Sequence, residues 1–141
     1  MKIIIADTDN ENINELGQTF NQYLPDWEVS IISSGKECLD IIQDNDCPNA
    51  FILGMRLSDM TGLDLVQQIR DDSDLPIIFL SNDDDIQTLV KAFDTGANDF
   101  IVVPINKAIF VARLKALIRR SIWDIPMKNS ELKNSYMRSV V

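Results

Sequence analysis

Four short segments of this 141-residue chain gather the side chains able to do chemistry: Asp7-Thr8-Asp9-Asn10, the stretch from Gly54 to Gly62, Ser81-Asn82-Asp83-Asp84, and Val102-Val103-Pro104. Asp7 and Asp9 carry hard oxygen donors of the kind divalent cations prefer, and Ser81 and Thr8 add hydroxyls. With so few carboxylates in place, no dedicated metal site is expected, only weak and incidental cation binding at Asp7 and Asp9. Nucleophilic catalysis has little to work with. The chain has no histidine, which removes Ser-His and Cys-His pairs, histidine metal ligands and phosphohistidine chemistry together. There is no Walker-type loop and no GxGxxG, and no cofactor is implied. The chain does not read as an enzyme.

Composition narrows the setting. The apolar share of 45% and charged share of 25% are those of a soluble globular protein, and the length suits one domain with a real core. A net charge of −9 argues against direct nucleic-acid binding, which needs clustered Lys and Arg. Cys38 and Cys47 lack close spacing in a chain without a signal-peptide pattern, so they are expected to be reduced in a cytoplasmic protein. Apolar runs of about five residues fall far short of the roughly 20 that span a bilayer, and no membrane partner is expected.

The elements that would position these segments alternate regularly. Continuous β-branched runs at Ile3–Ala6, Trp27–Ile32, Ala50–Met55, Pro76–Leu80 and Asp99–Val103 predict strands covered on both faces of a parallel sheet. Helical spacing predicts helices over about Asn10–Tyr23, Lys36–Gln43, Gly62–Arg70, Asp84–Thr95 and Asn106–Arg120. Their apolar stripes are Ile13/Leu16/Phe20, Leu39/Ile42, Leu63/Val66/Ile69, Ile86/Leu89/Val90/Phe93 and Ile109/Ala112/Ala116/Leu117. Asp83 and Asp84 suit a helix N-terminus, Arg119 and Arg120 a C-terminus. Five strands alternating with five helices predict an α/β fold: a flavodoxin-like, doubly wound, five-stranded parallel sheet. Its functional crevice should lie beyond the strand C-termini, where all four segments fall. Thr8 in the first of them raises a flavodoxin-like phosphate loop, but such a turn is rich in hydroxyls and amides rather than acids.

Over residues 1–120 the chain resembles the CheY-like receiver domain of two-component response regulators. The resemblance rests on Ile-Ile-Ile-Ala-Asp-Thr-Asp, Met-Arg-Leu-Ser-Asp-Met-Thr-Gly-Leu-Asp-Leu, Pro-Ile-Ile-Phe-Leu-Ser and Lys-Ala-Phe-Asp-Thr-Gly-Ala-Asn-Asp-Phe-Ile-Val-Val-Pro, in order and at the right separations. It implies a (βα)5 receiver fold and a five-residue phosphorylation chemistry, which this sequence keeps only in part. Asp7 matches the first of an acidic pair that helps hold magnesium, but Thr8 stands at the second. Gly54 stands where the phosphate-accepting aspartate would be, and glycine offers no nucleophile. Ser81 retains the hydroxyl, whereas Val103, just before Pro104, replaces the lysine. The expectation is an atypical receiver with a vestigial acidic pocket.

Alternatives stand beside these roles. Asp7 is either a polar cap over the sheet edge or first helix, or a relic of the metal site. Ser81 is either a turn or capping residue, or a relic of switching. Phe100 matches the family's switch-aromatic position but, having no hydroxyl, reads more simply as a core or interface residue. Asp59 and Asp83 lie near enough in sequence to raise rescue by a displaced carboxylate.

The resemblance further implies that the face built by the fourth helix, fifth strand and fifth helix docks a partner or a second copy. Lys91, Asp94, Asn98, Asp99, Arg113, Lys115 and Arg119 lie on it with mixed signs, as a self-complementary homodimer would need. The fifth helix is similar to that of OmpR-type, winged-helix transcription regulators. Residues 121–141 read as a polar linker or tail, with Trp123 and Ile125 as isolated apolar residues able to pack back. Two functions remain open: a phosphorylation-independent module controlling a DNA-binding output domain, or a stand-alone adaptor binding a partner protein or a non-phosphate ligand in the old pocket.

Overall fold

A computed structural model of the chain describes residues 1–82 and 86–124. The elements run β1 (Lys2–Ala6), α1 (Asn10–Tyr23), β2 (Glu28–Ile32), α2 (Gly35–Gln43), β3 (Ala50–Leu53), α3 (Gly62–Asp72), β4 (Ile77–Ser81), α4 (Ile86–Thr95), β5 (Asp99–Val102) and α5 (Lys107–Asp124). All strand pairs are parallel, in the order β2-β1-β3-β4-β5. The doubly wound fold is as expected.

Period-two alternation sorts the strand side chains onto two cores. Ile3, Ile5, Ile52, Ile78 and Leu80 face Leu16 and Phe20 of α1 and Phe110, Leu114 and Ile118 of α5. Ile4, Phe51, Leu53, Ile77 and Phe79 face Cys38, Leu65, Val66, Ile69 and Ala92 of α2, α3 and α4. β1, β3 and β4 are buried almost throughout, because helices cover both of their faces. β2 is not, with Glu28 and Ile31 exposed, because it is an edge strand. The expectation of full cover therefore holds only for the inner strands.

Helix starts are fixed by side-chain oxygens meeting orphan backbone N–H groups. Asp9 caps α1 through Glu11 N and Asn12 N, Ser34 caps α2 through Glu37 N, and Thr61 caps α3 through Asp64 N. The expected helix start at Asp83 and Asp84 lies outside the described residues. β3 ends at Leu53, two residues earlier than expected, because Gly54 and Met55 turn into the following loop and Met55 O accepts from Gly62 N at 2.8 Å.

Two helical faces differ from expectation. On α4 only Ala92 is buried, while Ile86, Val90 and Phe93 are exposed. On α5 the core residues are Phe110, Val111, Leu114, Leu117, Ile118 and Ile122, and Ile109 and Ala112 face outward. Periodicity marks an apolar stripe without saying what covers it, and α5 carries one stripe on each side. α5 also continues past Arg120 to Asp124, so Arg119 and Arg120 lie within the helix. Ile125 and the rest of the tail fall outside the described residues, as does the packing of Trp123.

Candidate functional site

The strand order reverses between β1 and β3, so their C-terminal ends flank the crevice of this fold. Asp7 directly follows β1 and Gly54 directly follows β3. The two are tied side by side, Gly54 N donating to Ala6 O at 2.8 Å. The neighbouring cleft, about 510 Å³, is lined by Asp7, Thr8, Asp9, Asn12, Met55, Arg56, Leu80, Ser81 and Asn82.

Asp7 is only 3% exposed, a carboxylate that must find donors. Its Oδ1 accepts from Thr8 N at 2.7 Å and Asp9 N at 3.0 Å, and its Oδ2 from Asn12 Nδ2 at 3.2 Å. Asp9, not Asp7, caps α1. The helix cap falls two residues later, because Asp7 is still held at the strand end.

The carboxyl group of Asp7 rests on the α-carbon of Gly54. A Cβ added to Gly54 would collide with the carboxyl carbon and with both oxygens of Asp7. Gly62 completes this crowded corner, since a Cβ there would run into the Gly54 carbonyl oxygen. The first turn of α3 thus approaches the β3 end as closely as backbone permits, which only glycine allows.

The other members are engaged locally. Thr8 Oγ1 donates to Arg56 O at 2.9 Å, pinning the β3–α3 loop to the β1 end. Ser81 Oγ donates to Met55 Sδ at 2.9 Å. Val103 N donates to Ser81 O at 2.9 Å, and the Val103 side chain packs against the α1/α5 core beside a cis peptide to Pro104. Asp59 lies elsewhere: its carboxylate accepts from Gly35 N at 2.8 Å and Lys36 N at 3.0 Å at the start of α2. Those two backbone donors hold it below the usual carboxylate range.

Phe100 is buried, 5.8 Å from Phe79 in a stacked pair, so its packing is that of a core residue. Of the outer face, Lys91, Asp94 and Arg113 are exposed, whereas Lys115 and Arg119 are partly covered. Asp99 pairs within the chain with Arg113 at 3.6 Å. Asn98 is exposed as well, but its Oδ1 is engaged within the chain, accepting from Arg70 and from Ile77 N.

Sequence reasoning missed Asn12 and Met55. A readable signal for Asn12 was there: a polar amide that falls on the buried side of α1 beside Leu16 needs a partner.

Comparison with known proteins agrees with this geometry. The response regulator receiver domain family matches residues 3–115. This chain belongs to that family. It is 32% identical over 127 residues to the response regulator MprA of Mycolicibacterium vanbaalenii, covering 88% of this chain and 53% of that protein. The regulatory protein LuxO of Vibrio cholerae is 30% identical over 127 residues, covering 88% of this chain and 26% of that protein. The chain thus spans about half, or less, of the curated relatives it matches. A two-component response regulator from Clostridium difficile superposes with a TM-score of 0.75 at 26% identity, covering 86% of this chain and 98% of that one. This is a receiver domain of the two-component type, with no described helix long and apolar enough to cross a membrane.

Proposed function

We propose that this receiver signals by protein contact without being switched by phosphorylation, and that it governs an output domain, by likeness a DNA-binding one. The observation that carries the reading is Gly54. By resemblance it occupies the acceptor position, and the space above its α-carbon is taken by Asp7. A phosphoryl group transferred from a phospho-donor needs a nucleophilic oxygen there. Thr8 and Val103 support the same reading. Thr8 uses its hydroxyl on Arg56 O instead of lending a carboxylate to a metal, and Val103 is an apolar contact of the core.

The implied magnesium ion does not fit these residues. Asp7 is surrounded by N–H donors, Asp9 is spent on the helix cap, and no group of three or more acidic, histidine or cysteine side chains converges among the described residues.

Contact has a surface to use. Among the described residues, five of the seven large exposed apolar side chains, Ile86, Val90, Phe93, Val102 and Ile109, belong to α4, β5 and α5, flanked by Lys91, Asp94 and Arg113. An apolar patch with charges of both signs at its rim fits a homodimer or an output domain.

Light scattering with and without magnesium and beryllofluoride, an acyl-phosphate mimic, tests the proposal. The expected result is a mass unchanged by the mimic, with Val90→Asp and Phe93→Ser lowering whatever association is present. A mimic-dependent change in mass would sink the phosphorylation-independent reading. The cleft favours one second reading, a small polar ligand among Asp7, Asn12, Ser81 and Asn82. Native mass spectrometry of the freshly purified chain would show it as added mass.

A further inference from the structure

Gly54 and Asp7 read as one unit rather than as a lost residue beside a leftover one. The carboxyl group of Asp7 sits where the first atoms of a side chain at position 54 would be. It is the acidic group buried at the switch point, and its charge is met by Thr8 N, Asp9 N and the Asn12 amide. Buried anions persist only when so surrounded. None of these donors is a cation. Thr8 also clasps the β3–α3 loop through Arg56 O, and Gly62 presses α3 onto the Gly54 carbonyl, so neither neighbour leaves Asp7 an easy way out.

We infer that Asp7 is an internal plug, seated on Gly54 and held by Asn12, which makes glycine obligatory at position 54 and closes the pocket to a divalent cation. The inference rests on the proposed phosphorylation-independent reading and deepens it, because it says what replaced the lost chemistry. It also carries a consequence of its own: returning an aspartate to position 54 does not restore an acceptor, because that side chain and Asp7 compete for the same volume.

A double-mutant cycle in the full chain, read by urea unfolding, tests the plug. Gly54→Ala displaces the Asp7 carboxyl group from its donors, and the expected result is an unfolding constant raised by roughly tenfold or more. In an Asp7→Ala background, which removes the colliding atoms, Gly54→Ala is expected to change that constant by less than about twofold. The backbone effect of replacing glycine is common to both arms and cancels. If Asp7→Ala does not fold, Asp7→Gly, which also lacks the colliding atoms, closes the cycle. Equal effects of Gly54→Ala in the two backgrounds would overturn the plug. The second readout is the melting temperature of the wild-type chain with millimolar magnesium or calcium, expected to stay constant; a saturable rise would overturn the plug as well. An additive cycle with no response to beryllofluoride would remove the plug and leave the phosphorylation-independent reading standing, whereas a response to the mimic would remove both.

Discussion

Arg70 shows how one side chain can join three parts of the chain. Its guanidinium donates to Gly96 O at 2.8 Å, Ser73 O at 3.1 Å, Leu75 O at 2.7 Å and Asn98 Oδ1 at 2.7 Å. Burial lowers its pKa, with Asp74 opposing that shift. The fork geometry is specific to arginine. Arg70→Met should therefore cost about 2–3 kcal/mol in urea unfolding, with Arg70→Lys recovering only part of the loss. An Arg70→Met variant as stable as the wild type would show the clamp to be idle. The two cysteines make a second contrast. Cys38 is fully buried, and burial pushes its thiol up to about 12, with Glu37 and Asp59 adding to the shift. Cys47 is exposed. A disulfide reagent near neutral pH should label one thiol in the native chain and the second only on unfolding. Two fast equivalents would contradict the packing around Cys38. The role of Arg70 was not legible in the sequence, because it acts on partners brought near only by the fold, up to 28 positions away.

Between elements, the start of α2 depends on a loop that precedes α3. Asp59 accepts two hydrogen bonds, from Gly35 N and Lys36 N, in addition to the local Ser34 cap. Gly35 is close enough to Met60 that a Cβ would strike its thioether, so the loop and the helix start fit as a pair. Because the folded chain lowers the Asp59 pKa, its contribution is complete above the unfolded value and is lost as pH falls through the folded one. Asp59→Asn should lower the urea midpoint at neutral pH, and the gap from wild type should narrow below about pH 4. A gap that stays constant down to acid pH would mean that charge at Asp59 has no part in it. At this scale the sequence was informative in a specific way. The βα alternation was legible because each inner strand is buried on both faces and so apolar throughout. The outward stripes of α4 and α5 were not, because a helix beside an edge strand can turn an apolar side to solvent while still resting on a few small residues such as Ala92.

Over the whole molecule, the two cores differ in reach. The α2/α3/α4 core ends with the sheet, whereas the α1/α5 core extends along α5 as far as Ile122, which is 4% exposed and packed with Ile118 and Leu117. The boundary expected at residue 120 falls within α5, and the polar composition after Arg120 gave no sign of the buried Ile122. Ile122→Ala should cost about 2–4 kcal/mol, measured by urea unfolding, and a neutral result would return the edge of the domain to Arg120. The candidate crevice was legible as a place, from the strand ends alone. Its content was not, because the seating of Asp7 on Gly54 is a matter of shape that no single residue announces.

The rooting of α5 has a mechanical meaning. Up to Asp124 the helix is a stiff rod clamped along one side by Phe110, Leu114, Ile118 and Ile122, so it can move against the sheet only as one lever. A tilt of α5 against α1 would then reach Asp124 as a change of aim, its amplitude growing with distance from the pivot.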